Sequence, residues 1–383
     1  MKLFHLGDLH IGKKVNGFDL LEDQAVVLDQ VLDQVRLEKP DALLLAGDLY
    51  DRRNPNPEAV HLFDRFLARV VLEEGVPTLA IGGNHDSGDR LNFASGILAH
   101  AGLYLAGQLT LPVPVVRLTD AHGPVDFHLL PYADGPLLAH LDEAYAGLAY
   151  PDAMADLLAR LPMDPAARQV LIAHGMVAYA GGDLAESDSE RELTVGGTEY
   201  WTADALGVFD YVALGHLHRP QTAGAPHIRY AGSLLPYSFS EENHAKSISV
   251  IELDESGYAG TRLLPIQPRH AMHTVRGQLA DILAGLPQGV AGDDYLRIVL
   301  TDQGDVLDAM ARLRKVYPNV MTLEREIRPE TGGSTAITYS RAKGLNPVDY
   351  ATIFYEEMTG EPADEAIRAI FTDTWQQARE EGL

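Results

Sequence analysis

Short apolar segments alternate with longer amphipathic segments along most of this chain, and this alternation is the feature that most restricts its fold. Residues 41–46 show the continuous apolar pattern of a buried strand, residues 57–73 the periodicity of a helix, and residues 76–81 a second strand pattern. Strands that alternate with helices predict an α/β protein whose helices cover the faces of a central sheet. Ligands of such proteins bind at the carboxyl ends of the strands.

The pattern changes near Arg269, where a compact order of strand, helix, strand, helix and strand begins and predicts a small α+β domain. A connector rich in Gly and Ser follows and is predicted to be flexible, and two short helices are predicted after it. The predicted organisation is therefore a main domain at 1–268, a small domain at 269–328, a linker at 329–345 and terminal helices at 346–383.

The composition excludes several classes of protein. A formal net charge of -25 argues against a protein that holds a phosphate backbone by broad electrostatics alone. The absence of cysteine excludes disulfides, thiolate metal sites and cysteine nucleophiles. The segment from Met1 to Leu9 has the pattern of a first strand and not of a signal peptide, and no apolar run approaches the roughly 20 residues of a membrane helix. We therefore expect a cytoplasmic protein without membrane contact.

Side chains that bind metal ions follow five of the predicted strands directly. These strand-end motifs are Asp8-x-His10, Gly47-Asp48-x-x-Asp51, Gly83-Asn84-His85-Asp86, His174 and Gly215-His216-x-His218. One such match alone means little, because an Asp at a strand end is more often a helix cap than a metal ligand. Five matches in one chain, each behind a strand, predict a common crevice that holds metal ions. The ten other histidines are interpreted as surface or structural residues.

In their order and spacing, the strand-end motifs resemble the signature of the calcineurin-like metallophosphoesterases, over roughly the first 220 residues. The resemblance implies two bound metal ions, which together polarise a phosphoryl oxygen and activate a water molecule. It implies that one ion is held by Asp8, His10 and His218, the other by Asn84, His174 and His216, and that Asp48 bridges the two. Oxygen and imidazole ligands without sulfur favour manganese or iron over magnesium, and we expect Mn²⁺.

The resemblance also implies a catalytic role for His85, which in this family points at the substrate and not at the metal. A cationic imidazole there can stabilise the developing charge and protonate the leaving oxygen. Asp51 could orient His85 through a hydrogen bond, although several relatives have His at that position.

Features beyond the metal ligands resemble the SbcD family of nuclease subunits. They are the segment 230–233, the small domain and the two terminal helices. The resemblance implies metallophosphoesterase central sheets flanked by helices, with the small domain as a cap. It further implies a manganese-dependent double-strand exonuclease and single-strand or hairpin endonuclease, acting at DNA ends and hairpins in DNA repair, recombination and replication, and thus associated with the nucleoid.

Two protein partners are implied by the same resemblance. The terminal helices would bind the base of the coiled coil of an SbcC-type ATPase, and a helix-in-groove contact suits the apolar stripe of Ile367, Ile370, Phe371 and Trp375. That stripe could instead pack on its own domain. Helices at 57–73 and 91–101 would form a homodimer. Their apolar residues, which could equally belong to the core, are Val60, Phe63, Phe66, Leu67, Ile97 and Leu98.

Two other functions remain open on the sequence. A metallophosphatase or phosphodiesterase of small or protein substrates would use the same metal ligands. A non-enzymatic scaffold that binds DNA ends would need no complete set of ligands, whereas all seven expected ligands are present.

Overall fold

The computed structural model describes residues 1–179, 184–190, 200–303, 306–326, 347–359 and 362–380. The chain divides between Arg325 and Glu326 into two compact units. Most of the secondary structure lies in the first unit. The strands in the described residues are β1 (Lys2–Leu6), β2 (Lys14–Val15), β3 (Phe18–Asp19), β4 (Ala42–Ala46), β5 (Thr78–Ile81), β6 (Leu103–Ala106), β7 (Val115–Asp120), β8 (Gly123–Leu130), β9 (Arg168–His174), β10 (Met176–Ala178), β11 (Tyr200–Thr202), β12 (Tyr211–Gly215), β13 (Gln221–Ala223), β14 (Ala225–Tyr230), β15 (Ser247–Asp254), β16 (Gly257–Pro265), β17 (Met272–Gly277), β18 (Tyr295–Leu300) and β19 (Val320–Arg325).

The helices are distributed over both units. The α-helices in the described residues are α1 (Leu21–Glu38), α2 (Pro57–Ala68), α3 (Gly88–Leu91), α4 (Ser95–Ala99), α5 (Gly135–Leu141), α6 (Tyr150–Ala159), α7 (Leu279–Ala284), α8 (Ala309–Val316), α9 (Pro347–Thr359) and α10 (Glu365–Glu380). None of these helices is both long and apolar enough to cross a membrane.

Two six-stranded sheets form the main body of the first unit. One has the strand order β16-β15-β1-β4-β5-β6 and the other the order β13-β14-β12-β9-β8-β7. The central strands of each sheet are parallel. Antiparallel pairing occurs at the β16 edge of the first sheet and at both edges of the second. Parallel strands buried on both faces need continuous apolar sequence, which is what β4 (ALLLA) and β12 (YVALG) provide.

The two sheets share a core. Leu44 and Ile81 of the first sheet belong to the same buried cluster as Phe127 and Ile172 of the second. Helices α1 and α2 pack on the other side of the first sheet, and α5 and α6 pack on the other side of the second. The main body of the first unit therefore has four layers, and the predicted fold class of α/β sheets flanked by helices is confirmed.

Local signals in the sequence explain where α2 begins. The side chain of Asn56 accepts a hydrogen bond from the Ala59 amide at 2.7 Å, and Pro57 occupies the first helical position of α2. The prediction of a single helix at 91–101 is wrong. The structure has two short helices there, α3 and α4, because Ala94 between them has a left-handed backbone with φ 59°.

The predicted small domain corresponds to a parallel three-stranded sheet, β17-β18-β19, with α7 and α8. Val275, Ile298 and Leu313 contribute to its own apolar core. Asp23 of α1 fixes this sheet to the main body, since its carboxylate accepts hydrogen bonds from the His270 amide at 3.1 Å and from the Tyr295 hydroxyl at 2.9 Å. The exact domain boundaries remain predictions.

The second unit contains the two predicted terminal helices, α9 and α10. They pack against each other, and the rings of Tyr355 and Phe371 are 6.2 Å apart. In the predicted stripe of α10, Ile370 is 61% and Trp375 is 38% exposed, whereas Ile367 and Phe371 are half-buried. The predicted linker at 329–345 lies entirely outside the described residues.

Candidate metal centre

The strand ends that carry the motifs meet at one edge of the two sheets. In the first sheet β1, β4 and β5 are adjacent and parallel, so the residues that follow Leu6, Ala46 and Ile81 come out at the same edge. In the second sheet β9 and β12 are adjacent and parallel, and His174 pairs with Gly215. The seven side chains predicted as ligands are all buried there, and the most exposed of them, Asn84, is only 8% exposed.

Ligand atoms in this site lie at the distances expected around shared cations. His10 Nε2 and His218 Nε2 are 3.1 Å apart, and Asp8 completes a cluster with them. His174 Nε2 lies 3.1 Å from Asn84 Oδ1, and Asp8, Asp48 and His174 form a second cluster. Neighbouring ligand atoms that each lie about 2.1 Å from one ion are about 3.0 to 3.4 Å from one another, so the two pairs at 3.1 Å suit metal binding.

Asp48 lies between the two groups. Its Oδ2 is 3.5 Å from His10 Nε2 and 3.6 Å from His174 Nε2. Its Oδ1 accepts a hydrogen bond from the His85 amide at 2.9 Å, which fixes the orientation of the carboxylate. Asp48 therefore occupies the position that a bridging ligand would need.

His216 enters the site from β12, beside His174. Their ring centroids are 5.5 Å apart, and the His216 amide donates to Asp8 Oδ1 at 2.8 Å. The structure thus brings all seven predicted ligands into one place.

The donor atoms of the site fit a cation chemically. Asp8 Oδ2 and His10 Nδ1 are buried without a hydrogen-bond partner among the described residues. Buried polar atoms are rarely left unpaired, and a bound ion would satisfy the Asp8 oxygen. His174 donates from Nδ1 to the Ala46 carbonyl at 2.9 Å, because a carbonyl can only accept. Its Nε2 lone pair is therefore available to a metal.

Burial governs the protonation of these groups. It raises the pKa of Asp8 well above its usual value, with the charge of Asp48 adding to the effect. It raises the pKa of Asp48 to about 6, although the charge of His85 opposes the change. Burial lowers the pKa of His174 to about 4 and that of His218 to about 4. Neutral imidazole is the form that binds metals, and a divalent cation would offset the cost of burying the carboxylates.

Unusual backbone geometry is concentrated in the site. Asp8, His10, Asp48 and His216 have φ angles of 53°, 43°, 49° and 114°. Only four other non-glycine residues in the described chain have positive φ. Such conformations cost free energy and persist where the surrounding structure enforces them, which is typical of functional sites.

Glycines in the motifs are required by close approach. A Cβ atom on Gly83 would lie 2.1 Å from Asp48 Oδ1, and one on Gly47 would lie 2.4 Å from His174 Nδ1. A Cβ atom on Gly215 would lie 1.9 Å from the Ala46 carbonyl oxygen. These distances are too short for any side chain, so the glycines allow the strand ends to approach one another.

His85 and Asp51 lie at the rim of the site. His85 Nε2 is 4.0 Å from Asp48 Oδ2, and His85 Nδ1 donates to the main-chain carbonyl of Asp51 at 2.8 Å. The Asp51 carboxylate instead accepts from Lys13 Nζ at 2.8 Å. The contact between Asp51 and His85 is therefore made by the backbone of Asp51 and not by its side chain.

Sequence reasoning assigned no role to Asp86, although this residue belongs to a strand-end motif. Its carboxylate accepts hydrogen bonds from the amides of Gly83, Leu49 and Tyr50 at 2.9, 3.0 and 3.0 Å. Asp86 thereby ties the loop after β5 to the loop after β4. Burial raises its pKa to about 7, and the charge of Asp48 contributes.

Sequence reasoning also missed Glu241 and Lys246, which lie behind His218. Lys246 Nζ is 2.5 Å from Glu241 Oε2, and Glu241 Oε1 is 3.2 Å from His218 Nδ1. No strand-end motif includes either residue, so only the fold reveals their position.

Comparisons with known proteins found two family models that match this chain. A family model described as calcineurin-like phosphoesterase matches residues 1–220. A model of the SbcD C-terminal family, described as type 5 capsule protein repressor C-terminal domain, matches residues 268–359. Among solved structures, a dimetal phosphatase from Danio rerio is similar, with 12% sequence identity and a TM-score of 0.38 over 70% of this chain and 99% of that chain.

Proposed function

Because this chain belongs to the calcineurin-like phosphoesterase family, and is thus a metal-dependent phosphoesterase, we propose that it is a two-metal DNA nuclease of the SbcD type. The observation that carries the proposal is the combination of two matches in one chain. The phosphoesterase match ends at residue 220, and the SbcD C-terminal match begins at residue 268. A phosphatase of small substrates would need no such second region.

We assign the ligands as the motifs imply. Asp8, His10 and His218 would hold one ion; the residues that would hold the other are Asn84, His174 and His216. Asp48 would be the ligand shared by the two ions, which its position between His10 and His174 supports. When bound, two divalent cations, which we propose to be Mn²⁺, polarise the phosphoryl oxygen and lower the pKa of a water molecule.

His85 is proposed as the general acid. Its Nδ1 proton is held by the Asp51 carbonyl, so Nε2 is the atom that faces the metal cluster. A proton on Nε2 makes the ring cationic, and transfer of that proton to the leaving sugar oxygen would complete cleavage. Asp51 contributes by positioning the ring through its carbonyl.

DNA is the proposed substrate in spite of the acidic composition. A cavity of about 290 Å³ adjoins the site and is lined by Asp51 together with two cations, Lys14 and Arg52. Both cations are exposed, and Arg52 is 74% exposed at its side chain. Lys14 pairs with Asp19 and Arg52 with Asp51, each at 3.4 Å, and these exposed cations are the groups that would meet a phosphate backbone at the entrance although the whole chain carries a charge of -25. Double-stranded ends and hairpins are the proposed targets, which would place the protein at the nucleoid.

The test of this function compares two substrates in the same preparation. End-labelled linear duplex DNA and hairpin DNA are incubated with Mn²⁺, in parallel with a chromogenic phosphodiester of low molecular mass. Cleavage of the DNA substrates supports the proposal. Efficient turnover of the small ester without any cleavage of DNA would favour the alternative, a phosphodiesterase or phosphatase of small or protein substrates.

Two partners are part of the proposal. An SbcC-type coiled-coil ATPase would bind α9 and α10, where Tyr350 and Phe354 are 49% and 56% exposed.

A second copy of this chain would pack near α2 and α4. Of the residues considered for that interface, Phe63 and Phe66 are buried in the core and so cannot contribute to it. Ile97 is 75% exposed and can. The homodimer is tested by comparing the sedimentation of Ile97→Asp with that of the unchanged protein. If the interface is correct, the variant sediments as a monomer and the unchanged protein as a dimer.

A further inference from the structure

A buried ion pair lies directly behind the proposed metal centre. Glu241 is 1% and Lys246 is 6% exposed, and Lys246 Nζ lies 2.5 Å from Glu241 Oε2. Burial of two charges is costly, and a buried pair adds little stability compared with apolar residues of the same volume. The presence of this pair is therefore better explained by what its second carboxylate oxygen contacts.

That second oxygen faces His218. Glu241 Oε1 lies 3.2 Å from His218 Nδ1, and it also accepts a hydrogen bond from the Ser189 hydroxyl. Ser189 Oγ is itself 2.7 Å from His218 Nδ1. A hydroxyl can donate or accept, whereas a carboxylate can only accept. Ser189 is therefore compatible with either tautomer of the neutral His218 ring. Glu241 is compatible only with the tautomer that has its proton on Nδ1.

The main chain of His218 is held by the same group of residues. Lys246 Nζ donates to the His218 carbonyl at 3.0 Å and to Ser233 Oγ at 2.8 Å, and the Ser233 amide donates to the His218 carbonyl at 3.1 Å. On the amino side, the His218 amide donates to Glu190 Oε1 at 2.6 Å. Ser233 belongs to the 230–233 segment, whose part in the site was not apparent from the sequence.

With its proton on Nδ1, His218 presents the Nε2 lone pair to the opposite side of the ring. That atom lies 3.1 Å from His10 Nε2 and belongs to the cluster with Asp8. His174, in contrast, is oriented by a main-chain carbonyl, that of Ala46. Histidine ligands commonly donate their other N–H to a carboxylate or carbonyl, which fixes the ring and increases its basicity.

We propose that Glu241 is a positioning residue that holds His218 with its Nε2 lone pair directed into the metal centre, and that Lys246, which contacts the other oxygen of Glu241, holds this carboxylate in place. The inference rests on the proposed metal centre. It predicts that Glu241 supports one of the two ions selectively, namely the ion held by Asp8, His10 and His218. The other ion would be held by Asn84, His174 and His216; Ala46 orients His174, so we expect this ion not to depend on Glu241.

The experiment uses two variants of the full chain. In Glu241→Gln the amide presents either its oxygen or its NH₂ group to His218 and no longer selects the tautomer. In the double variant Glu241→Leu with Lys246→Met, apolar side chains replace the whole ion pair, so no buried charge is left unpaired. Mn²⁺ is titrated calorimetrically into each metal-free protein, and thermal unfolding of the same samples is measured.

The expected result is loss of affinity for one ion by about 10-fold to 100-fold in both variants, with the other ion bound within about threefold of normal. Asp120→Asn is the matched control, because Asp120, whose side chain is 12% exposed, forms ion pairs with the buried Arg168 and with the amino terminus. This control should lower thermal stability and leave both Mn²⁺ affinities unchanged.

The outcomes distinguish a role of the ion pair in folding from a role in orienting His218. Normal affinities in the double variant would mean that the pair serves only folding, and the inference would be overturned. Glu241→Gln leaves the buried ammonium of Lys246 without its carboxylate partner and could fail to fold for that reason. The double variant has no such charge, so its Mn²⁺ affinities then provide the test. A wild-type protein that binds no Mn²⁺ would overturn the proposed function itself, whereas two ions bound equally by all variants would overturn only the role of Glu241.

Discussion

Asp48 and His174 come from different sheets, yet Oδ2 of Asp48 lies 3.6 Å from Nε2 of His174. The same oxygen is 3.5 Å from His10 Nε2. One carboxylate thus connects the ends of β1, β4 and β9 in a buried site. The position of Asp48 is the basis for the first prediction.

Asp48→Asn should weaken the binding of both metal ions, because the amide removes the negative charge that both would share. Changes in residues that only orient a ligand already cost about 10-fold to 100-fold in metal affinity, so we expect a loss of more than about 100-fold here. Calorimetric titration with Mn²⁺ measures it. Asp126→Asn, which alters a carboxylate bound to Arg117, is the control and should bind both ions normally. Retention of both ions by Asp48→Asn would remove Asp48 from the bridging position.

His85→Ala should retain both metal ions and lose cleavage by about 10²-fold to 10⁴-fold, the range that general acid catalysis contributes. Metal binding and cleavage of linear duplex DNA are measured on one preparation. His61, which is exposed on α2, provides the control His61→Ala with unchanged activity. Normal cleavage by His85→Ala would rule out the proposed role of this imidazole.

Gly83→Ala should disturb the site through sterics alone, because the added Cβ would lie 2.1 Å from Asp48 Oδ1. Overpacking of this kind costs about 1 to 3 kcal/mol, and here it also displaces a proposed ligand. We expect lower thermal stability together with weaker Mn²⁺ binding. Gly96→Ala in α4, where a Cβ would have no neighbour within 4 Å, should be neutral in both measurements. Wild-type values for Gly83→Ala would show that the loop has room to move.

His5 should make stability depend on pH. Burial, followed by the charge of Arg229, lowers the pKa of His5 to about 3 from its usual 6.5. Between these values the unfolded chain binds a proton that the folded chain does not, so the free energy of unfolding falls as the pH falls.

The measurement is urea unfolding of metal-free protein at pH 7 and pH 5, compared with His5→Asn. The wild type should lose about 2 kcal/mol more than the variant between these pH values, because only the wild type carries this titrating group. Equal losses in both proteins would contradict a neutral, buried His5.

Ile370→Glu in α10 should abolish binding of the proposed ATPase partner, since Ile370 is 61% exposed and the change places a charge in the expected apolar contact. Thr372→Glu adds the same charge to an exposed position two residues away, which points to a different side of the helix. Co-purification of each variant with the partner from native cells is the measurement. Equal recovery with both variants would exclude this face of α10 from the interface.

Strand and helix patterns were sufficient to predict the α/β class and to place the strand-end motifs, because both depend on local periodicity. Asp8 follows β1 and His174 ends β9, as predicted, and parallel neighbours necessarily bring such residues to one edge. Periodicity did not reveal the break at Ala94, because nothing in a helical pattern signals one residue with a left-handed backbone.

What the sequence by itself determined was therefore which side chains stand at the ends of strands, since hydrophobic runs and the residues after them are local information. Only the tertiary structure decided that these ends belong to two facing sheets, that Asp48 lies between His10 and His174, and that Glu241 with Lys246 stands behind His218. Glu241 and His218 are 23 residues apart in the sequence and come into contact only in the folded chain. Contacts of this kind depend on how elements pack, which no local pattern records.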